Sequence, residues 1–532
     1  MVERDRVVKM HNPANPTGND PGTRSVLAPV HPSLPAPMML RSLLLALVAA
    51  ALALTGCRKD TQFTDDRVEL VFSQDTILYD TIFTTVGSIT KRFTARNPNS
   101  YAVKVDIALT GGSPSPYRIN VDGASGTSFS DVEILGGDSI YVFVEATLDA
   151  NNANNPFIIE DKILFNTNGA EQNVLLLAWG QDAHFHYPDQ FIQGFPAFSY
   201  IVGGFDGGGN QICGEVEVWT NDKPHVIYGY AVVDSCNKLE IQPGVKVYFH
   251  GGGGLWVYRG GWIEALGTTT DPITFQGDRL ESLYENLPGQ WDRIWINEGD
   301  FANEDNRFEN VEIRNSLIGI QCETWPLSVN EPTTINKLVL NNVKILNCSA
   351  AGLLSRNYRI TANNLLVGDA GQYSVALTGG GEYQLNHMTV GNFWDWEVRN
   401  TPAFIVTNYF QDINGAVQVR DIGSSEFRNS IIHGSNSNEF ELDLDNLGNS
   451  ALNFHDIMLK TDENLSGPFF TSNVYVDQNP AFADGPADDY HLTSGSYARE
   501  RGLPSTPEAF LDLDGNSRCE IWPDLGCYEF CP

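Results

Sequence analysis

The chain of 532 residues carries 33 lysines and arginines against 66 aspartates and glutamates, so its formal net charge is −33. A surface of this sign repels nucleic-acid phosphates and anionic lipid headgroups, which argues against a nucleic-acid partner. The length predicts more than one domain, and a hydrophobic content of 42% is enough for a packed core. Its 49 glycines, among many asparagines and aspartates, favour a turn-rich, all-β protein.

The amino-terminal residues look unlike a domain. Residues 1–37 are polar and proline-rich, and we expect them to be a non-native upstream extension, with translation starting at Met38 or Met39. Residues 38–56 are typical of a signal peptide. There, Arg41 precedes an apolar run of about twelve residues, which is too short to span a bilayer.

The run Leu54-Thr55-Gly56-Cys57 resembles a bacterial lipobox. That resemblance implies cleavage before Cys57 and acylation of this residue, which anchors the chain in a membrane. The alternative is an ordinary secretory signal with a chance cysteine. Residues 57–66 are then a tether. Asp60 only faintly resembles the acidic export signal of Bacteroidota surface lipoproteins, so both faces of the outer membrane stay open as locations.

Residues 67–182 alternate apolar and polar side chains in about seven short runs, separated by turns of Asn, Gly, Pro and Asp. This pattern predicts a β-sandwich. The runs 83–97, 129–138 and 177–180 resemble immunoglobulin-like modules of the abnormal-spindle and hydin type. The resemblance implies a spacer or adhesion module rather than a catalytic one.

A degenerate repeat of 22 to 23 residues lies in the second half of the chain, where the block 341–345 recurs at 363–367 and at 386–390. Units of this length are typical of a parallel β-helix, in which stacked coils bury the apolar face that one coil cannot bury alone. The expected inward ladders contain Val343 and Ile345, Leu365 and Val367, and Met388 and Val390.

The asparagines that head these blocks are expected at a turn between strands, where their amides bond their stacked neighbours. Asn342 and Asn364 fit this series, whereas His387 interrupts it. We interpret His387 as a structural substitute. The alternative, a catalytic base, needs a placed partner that the sequence does not identify.

Residues 183–209 are aromatic and then glycine-rich, which predicts a linker. The runs 239–275 and 288–296 resemble right-handed parallel β-helix proteins of the pectate-lyase-like superfamily, closest to bacterial surface lipoproteins. The resemblance covers about 210–532 and implies a fold rather than an activity. Residues 479–529 resemble the closing segment of secreted β-helix proteins and predict a C-terminal cap over the last coil.

An acidic turn stands in that closing segment. Asp512, Asp514 and Asn516 alternate as oxygen ligands do, but the glycine and glutamate of an EF-hand are absent from their places. Calcium binding is therefore a weak hypothesis, and a turn salt-bridged to Arg518 is favoured. No metal and no cofactor are expected.

The cysteines of an exported chain can form disulfides. Cys213 and Cys236 are the favoured pair because both flank the first solenoid strands. A bond between Cys322 and Cys348 across one coil is a further hypothesis. Three more cysteines stand in the tail, so at least one thiol is left over, and no spacing matches a zinc site.

Two functions compete. Several tryptophans and one tyrosine lie in the early coils, where we expect the binding surface, because aromatic faces stack on sugar rings. The alternative is that these side chains pack in the core or the cap. These glycan-stacking candidates are Trp256, Tyr258, Trp262, Trp291 and Trp295. We expect a membrane-anchored cell-envelope lipoprotein whose β-helix is a non-catalytic scaffold for a glycan or a cell-surface protein.

The alternative function is a polysaccharide lyase or glycoside hydrolase. A hydrolase needs two carboxylates, roughly 5–5.5 Å or 6.5–9.5 Å apart. The outward positions of the aligned repeats hold no such cluster; they are Glu312, Lys344, Leu366 and Thr389. The nearest charged site is Asp292 with Arg293, and the simpler interpretation of that pair is a solvated ion pair in a turn. The sequence therefore predicts no catalytic residue.

Overall fold

A computed structural model describes residues 62–84, 86–149, 157–298, 304–324, 332–411, 415–504, 509–519 and 521–530. Over these ranges the chain forms β-strands and two single-turn 3-10 helices, Ser282–Tyr284 and Gly485–Ala487, so the predicted all-β class is confirmed. The extension, the signal peptide and the lipidation site Cys57 lie outside the described residues. Within these ranges no helix has the length and apolar character needed to cross a membrane.

The first unit is a pair of five-stranded sheets that enclose a common core. In β8, for example, Ile140, Val142 and Val144 are buried while the residues between them face outward, which is the alternation that a half-buried strand requires. One sheet has the order β1-β3-β8-β5-β6 and the other β2-β10-β9-β4-β7. The strands are β1 (Val71–Phe72), β2 (Thr76–Phe83), β3 (Lys91–Arg96), β4 (Val103–Leu109), β5 (Tyr117–Val121), β6 (Ala124–Gly126), β7 (Ser128–Ile134), β8 (Ser139–Ala146), β9 (Phe157–Thr167) and β10 (Ala170–Gln181).

The second unit is a solenoid of long parallel sheets, consistent with a parallel β-helix. A 15-stranded sheet and a nine-stranded sheet face each other across one continuous core. The 15-stranded sheet contains β11 (His184–His186), β13 (Val216–Trp219), β14 (His225–Ile227), β16 (Lys238–Ile241), β17 (Lys246–Phe249), β19 (Trp262–Leu266), β20 (Ile273–Gly277), β22 (Asn306–Arg314), β24 (Lys337–Leu346), β26 (Arg359–Val367), β28 (Glu382–Asn386), β29 (Thr389–Asn392), β33 (Ile422–Gly434), β35 (Ser450–Leu459) and β36 (Phe470–Val476).

The nine-stranded sheet receives one strand from each coil in turn. Its strands are β12 (Phe198–Val202), β15 (Tyr230–Val233), β18 (Gly254–Val257), β21 (Ile294–Ile296), β23 (Ile318–Glu323), β25 (Ala351–Arg356), β27 (Tyr373–Thr378), β30 (Phe404–Thr407) and β34 (Phe440–Asp443). Two short hairpins pair β31 (Tyr409–Gln411) with β32 (Val417–Val419), and β37 (Phe482–Asp484) with β38 (Asp489–Leu492).

The predicted inward ladders are confirmed. Val343 pairs with Leu365, and Val367 pairs with both Ile345 and Val390, so the repeats are in register. All six inward residues, including Met388, are fully buried in the core of the solenoid. Burial of each such side chain contributes about 1.5–3 kcal/mol relative to exposure.

The asparagines that head the repeats form a corner in the long strands. Asn342, Asn364 and His387 have φ values of 54°, 51° and 52°, a left-handed conformation that asparagine tolerates better than most residues. The amide of Asn364 donates to Asn342 Oδ1 at 2.9 Å, and Asn342 donates to Asn310 Oδ1 at 3.3 Å. The predicted amide ladder is therefore present, with His387 at the same corner.

The segment predicted as a linker, 183–209, already belongs to the solenoid, because β11 and β12 are the first strands of its two sheets. The sequence pattern missed them because β11 has only three residues and β12 runs directly into Gly203 and Gly204. The sandwich packs directly against these coils. The Phe83 and Tyr248 rings lie 5.1 Å apart, and Lys223 Nζ pairs with Asp182 at 2.9 Å.

The sequence predicted that the C-terminal segment caps the last coil, and this prediction is wrong. The segment lies along the flank of the solenoid instead. The amide of Gly526 donates to Asn429 O at 2.7 Å, and Tyr490 Oη donates to Gly391 O at 3.1 Å. The segment covers outward side chains that are apolar, such as Leu366 and Met458, and this apolar flank is the physical reason for its position.

The end of the core is covered by the loop between β35 and β36. Leu465 and Phe469 of that loop pack against the core beside Phe470. An uncovered last coil would expose apolar side chains, so these residues perform the role that the sequence assigned to the tail.

Candidate functional site

An aromatic pocket forms over the first strands of the nine-stranded sheet. Tyr200, Val232, Trp256 and Trp295 occupy one row across β12, β15, β18 and β21. Their chain neighbours point into the core, so the strand alternation alone sends this row outward. The row is the floor of the pocket.

Two loops form the walls. The chain between Gln190 and Phe198, which form an isolated bridge, carries Ile192 and Phe195 over the sheet. The loop closed by the Phe205–Gln211 bridge borders the same space. They enclose a cavity of about 350 Å³ lined by Ile192, Phe195, Phe198, Tyr200, Phe205, Gln211, Val232, Asp234, Ser235, Trp256 and Tyr258.

A disulfide fixes one wall. Cys213 and Cys236, the pair that the sequence favoured, are bonded with their Cα atoms 5.2 Å apart. The bond ties the chain just after the Phe205–Gln211 loop to the turn that follows β15. It therefore holds that loop beside the sheet.

The tryptophan faces are less available than the sequence suggested. Trp256 is 4% exposed, and the rings of Phe195 and Trp295 stack on it at centroid distances of 5.8 and 4.8 Å. Its Nε1 donates to Asn297 Oδ1 at 2.7 Å. Trp256 therefore supports the floor of the pocket. It does not offer the open stacking face that the sequence predicted.

The other aromatic candidates divide between pocket and core. Tyr258 is half-buried and lines the pocket. Trp295 is half-buried, and its Nε1 donates to Glu323 Oε1 at 2.6 Å. Trp291 is 1% exposed and stacks on Phe249 at 4.2 Å inside the core, so its predicted glycan contact is wrong. Trp262 is half-buried on the other sheet, outside the pocket lining.

Asp234 is the acidic group of the pocket, and the sequence did not single it out. It is 5% exposed, and its Oδ2 accepts the amide of Gly204 at 3.2 Å. Burial, followed by the charge of Asp234 and the neighbouring Tyr258, raises the pKa of Tyr200. The nearby aromatic run at 184–205 was the available signal, but it was interpreted as a linker.

A second polar cluster lies on the outward face of the 15-stranded sheet. His455 Nδ1 lies 2.8 Å from Asp456 Oδ2, and its Nε2 lies 2.8 Å from Glu426 Oε1. The Asp456 side chain is 2% exposed and accepts the amide of Asn473 at 2.7 Å, whereas Glu426 is 39% exposed. An imidazole oriented by a buried carboxylate is a common acid–base arrangement.

A cavity of about 380 Å³ adjoins this cluster and includes Glu426 and Arg428 in its lining. Stacked amides line it too, with Asn386 donating to Asn363 Oδ1 and Asn363 donating to Asn341 Oδ1, each at 3.2 Å. The outward repeat positions Glu312, Lys344, Leu366 and Thr389 all lie in the second half of each long strand, after the corner. The cluster was missed because it lies in the first half, before and at the corner.

The calcium candidates do not converge. Asp512 is 1% exposed, and its Oδ1 accepts the amides of Asp514 and Asn516 at 3.0 and 2.7 Å, which satisfies an ordinary turn. Asp514 Oδ2 faces His491 Nε2 at 2.7 Å. Arg518 bonds Asn364 Oδ1 at 2.7 Å, so the favoured pairing with the acidic turn is replaced by a contact with the corner ladder. Across the part of the chain that is described, no group of acids, histidines and cysteines is arranged to hold a metal.

The remaining candidates are structural. Asp292 and Arg293 form an ion pair at 2.9 Å, half-buried rather than fully solvated, and the Tyr230 hydroxyl also donates to Asp292.

Cys322 and Cys348 are both buried and free, so the predicted bond between them is wrong. They lie in the interior of different coil segments, and burial raises the pKa of Cys348 to about 11.

Comparison with known proteins does not identify the chain. No protein-family model matches it, and no curated protein matches it. A family 123 glycoside hydrolase from Clostridium perfringens matches 23% of this chain and 29% of its own at 10% identity, with a TM-score of 0.17. The E. coli chaperone DraB matches 23% and 58% at 11% identity and 0.17, and the Vibrio cholerae VesB protease 21% and 31% at 15% identity and 0.15. The chain spans less than two thirds of the length of each of these proteins.

Proposed function

We propose that the chain is a cell-envelope lipoprotein, anchored through Cys57, whose solenoid is a non-catalytic scaffold that binds a glycan in the aromatic pocket. The observation that carries the proposal is the pocket itself, a cavity of about 350 Å³ walled by aromatic rings and containing few polar groups. Aromatic surface with a few directing polar groups is the usual make-up of a small-ligand site, and it suits the apolar faces of sugar rings.

In this proposal the rest of the chain holds the pocket in the cell envelope. The sandwich is taken as an immunoglobulin-like spacer, and the solenoid as a right-handed β-helix of the pectate-lyase-like kind. The pocket lies over the nine-stranded sheet in the first coils, and the sandwich packs on the 15-stranded sheet of the same coils, where Phe83 contacts Tyr248. A membrane through the lipid anchor and a polysaccharide are the proposed partners, with the outer membrane as location. A cell-surface protein is the competing partner.

The test is affinity electrophoresis of the full chain through gels that contain neutral or uronate polysaccharides. Retarded migration without new reducing ends is the expected result. Phe205→Ala removes a wall residue that is 61% exposed, and it should abolish retardation. Phe191→Ala is the matched control, because Phe191 is 76% exposed in the neighbouring loop and does not line the pocket. Equal migration on every gel would overturn the proposal.

A polysaccharide-cleaving enzyme is the second candidate function, and the Glu426–His455–Asp456 cluster favours it. Glu426 is the accessible member, at 39% exposure, and it borders a cavity lined with amides that can bond sugar hydroxyls. If this cluster cleaves a glycan, incubation with the same panel yields reducing ends or unsaturated products. Glu426→Gln should abolish them, whereas Glu309→Gln, on the same sheet face beside Asn341, should not. The absence of products from every polysaccharide would eliminate this candidate.

A further inference from the structure

The aromatic pocket contains a buried carboxylate without a cation. Asp234 is 5% exposed, and among the described residues its carboxylate receives one hydrogen bond, from the amide of Gly204. The two cations nearest in the chain pair elsewhere, Lys238 with Glu264 at 2.6 Å and Lys223 with Asp182 at 2.9 Å, and Arg259 pairs with Glu298 at 3.1 Å. Within the described ranges, no lysine or arginine forms an ion pair with Asp234.

Such a group is costly in a closed protein. A carboxylate removed from water loses hydration that one amide donor does not replace, and a buried charge is normally paired. The carboxylate therefore has unused capacity to accept hydrogen bonds, on the side where the cavity opens. A ligand that brings a positive charge would supply the missing partner.

The rings around Asp234 favour the same kind of ligand. Tyr200, Phe205 and Tyr258 line the cavity with it, and aromatic faces carry negative charge density that attracts ammonium groups. Tyr258 stands edge-on to Trp256 with centroids 5.4 Å apart, so these rings surround the cavity at different angles. A cage of rings with one acid is a known way to bind an organic cation.

We propose that this pocket binds an organic ammonium group, carried by an amino sugar whose amine is not acetylated. The inference rests on the proposed function, since it uses the same pocket and names the chemistry of the sugar. The amine bonds Asp234 while the ring lies against the aromatic walls. The net charge of −33 further favours a cationic glycan over a uronate.

The test is titration calorimetry of the full chain in detergent at about pH 6, where a sugar amine is protonated. The probes are a glucosamine tetramer, an N-acetylglucosamine tetramer, cellotetraose and tetramethylammonium. Asp234→Asn keeps the acceptor for Gly204 and removes the charge. Asp189→Asn is the matched control, because Asp189 is exposed and does not line the cavity.

The expected result is binding of the glucosamine tetramer, weakened about tenfold or more by Asp234→Asn and unchanged by Asp189→Asn. The acetylated and neutral tetramers should bind more weakly than the amine form. Equal binding of all three tetramers, unaffected by Asp234→Asn, would overturn the inference and leave the glycan function standing. Binding of tetramethylammonium alone, lost in Asp234→Asn, would support the cation site and overturn the glycan function. No binding of any probe overturns both.

Discussion

The guanidinium of Arg399 and the carboxylate of Glu439 form a bidentate ion pair inside the solenoid. Nη2 lies 2.6 Å from Oε1 and Nη1 lies 2.7 Å from Oε2, and the two side chains are 1% and 0% exposed. Glu439 also accepts the amides of Ala403 and Asn436, and Arg399 donates to the carbonyl of Thr401. The pair thereby joins the loop before β30 to the start of β34.

Removal of one partner from this pair should be severe, because it leaves the other charge buried and unpaired. We expect Glu439→Gln to lower the free energy of unfolding by about 3–5 kcal/mol, measured by urea denaturation. The double variant Arg399→Met with Glu439→Leu should lose less than the single variant. As a control, Asp131→Asn breaks the exposed pair with Lys104 and should cost no more than about 1 kcal/mol. An equal cost for the buried and the exposed pair would contradict the prediction.

His387 should make stability depend on pH. Its Nδ1–H donates to Gly526 O and its Nε2 accepts from Asn429, each at 3.2 Å. Burial, reinforced by the positive charge of Arg518, holds the pKa of His387 well below its ordinary value. Since the unfolded chain takes up the proton first, the contribution of His387 is full above about pH 6.5 and is lost as the pH falls below that value.

The variant His387→Asn isolates this titration, because asparagine occupies the same corner in neighbouring coils. We expect the free energy of unfolding of the natural chain, relative to the variant, to decrease between about pH 7 and pH 5. Urea denaturation at several pH values measures it. A difference that stays constant over this range would show that His387 does not titrate on unfolding.

Asp369 should make stability change with pH in the opposite direction from His387. Burial and the charges of Asp488 and Asp395 raise the pKa of Asp369 to about 7. The folded state therefore holds a proton that the unfolded state releases above about pH 4, so stability falls as the pH rises toward 7. Asp369→Asn mimics the protonated form and should raise the melting temperature at pH 8 more than at pH 5. Equal shifts at both pH values would contradict the assignment.

The Cys213–Cys236 disulfide should control both stability and the pocket. The bond closes a segment with a sequence separation of 23 and holds the Phe205–Gln211 wall. Replacement of both cysteines by serine should lower the free energy of unfolding by about 2–4 kcal/mol. Any ligand of the pocket should bind several-fold more weakly, as measured by calorimetry. Unchanged binding in a destabilised variant would show that the wall is positioned without the bond.

Cys57 carries the anchoring prediction, and it lies outside the described residues. Cells that express the natural chain and are fed a labelled fatty acid should yield a labelled protein in the membrane fraction. Cys57→Ser should lose the label and accumulate the uncleaved precursor. A mature, unlabelled, released protein from the natural gene would instead indicate an ordinary secretory signal.

Local sequence determined the coil. Asn342 and Asn364 tolerate the left-handed corner conformation, and the apolar residues that follow at alternate positions face inward in register with the next coil. Both effects act over a few residues and repeat with every coil. The period, the all-β class, the amide ladder and the inward ladders could therefore be predicted before any contact was known.

Tertiary structure decided what the coils present to solvent. Asp234 and the rings of Phe195 and Phe205 meet only because two loops and a disulfide bring them over the sheet. Leu366 and Met458 point outward and are nevertheless buried, because the C-terminal segment lies on them. Trp256 and Trp291 have the same residue type, yet one supports a pocket and the other fills the core. Burial depends on what packs against a residue, and those partners are distant in the chain.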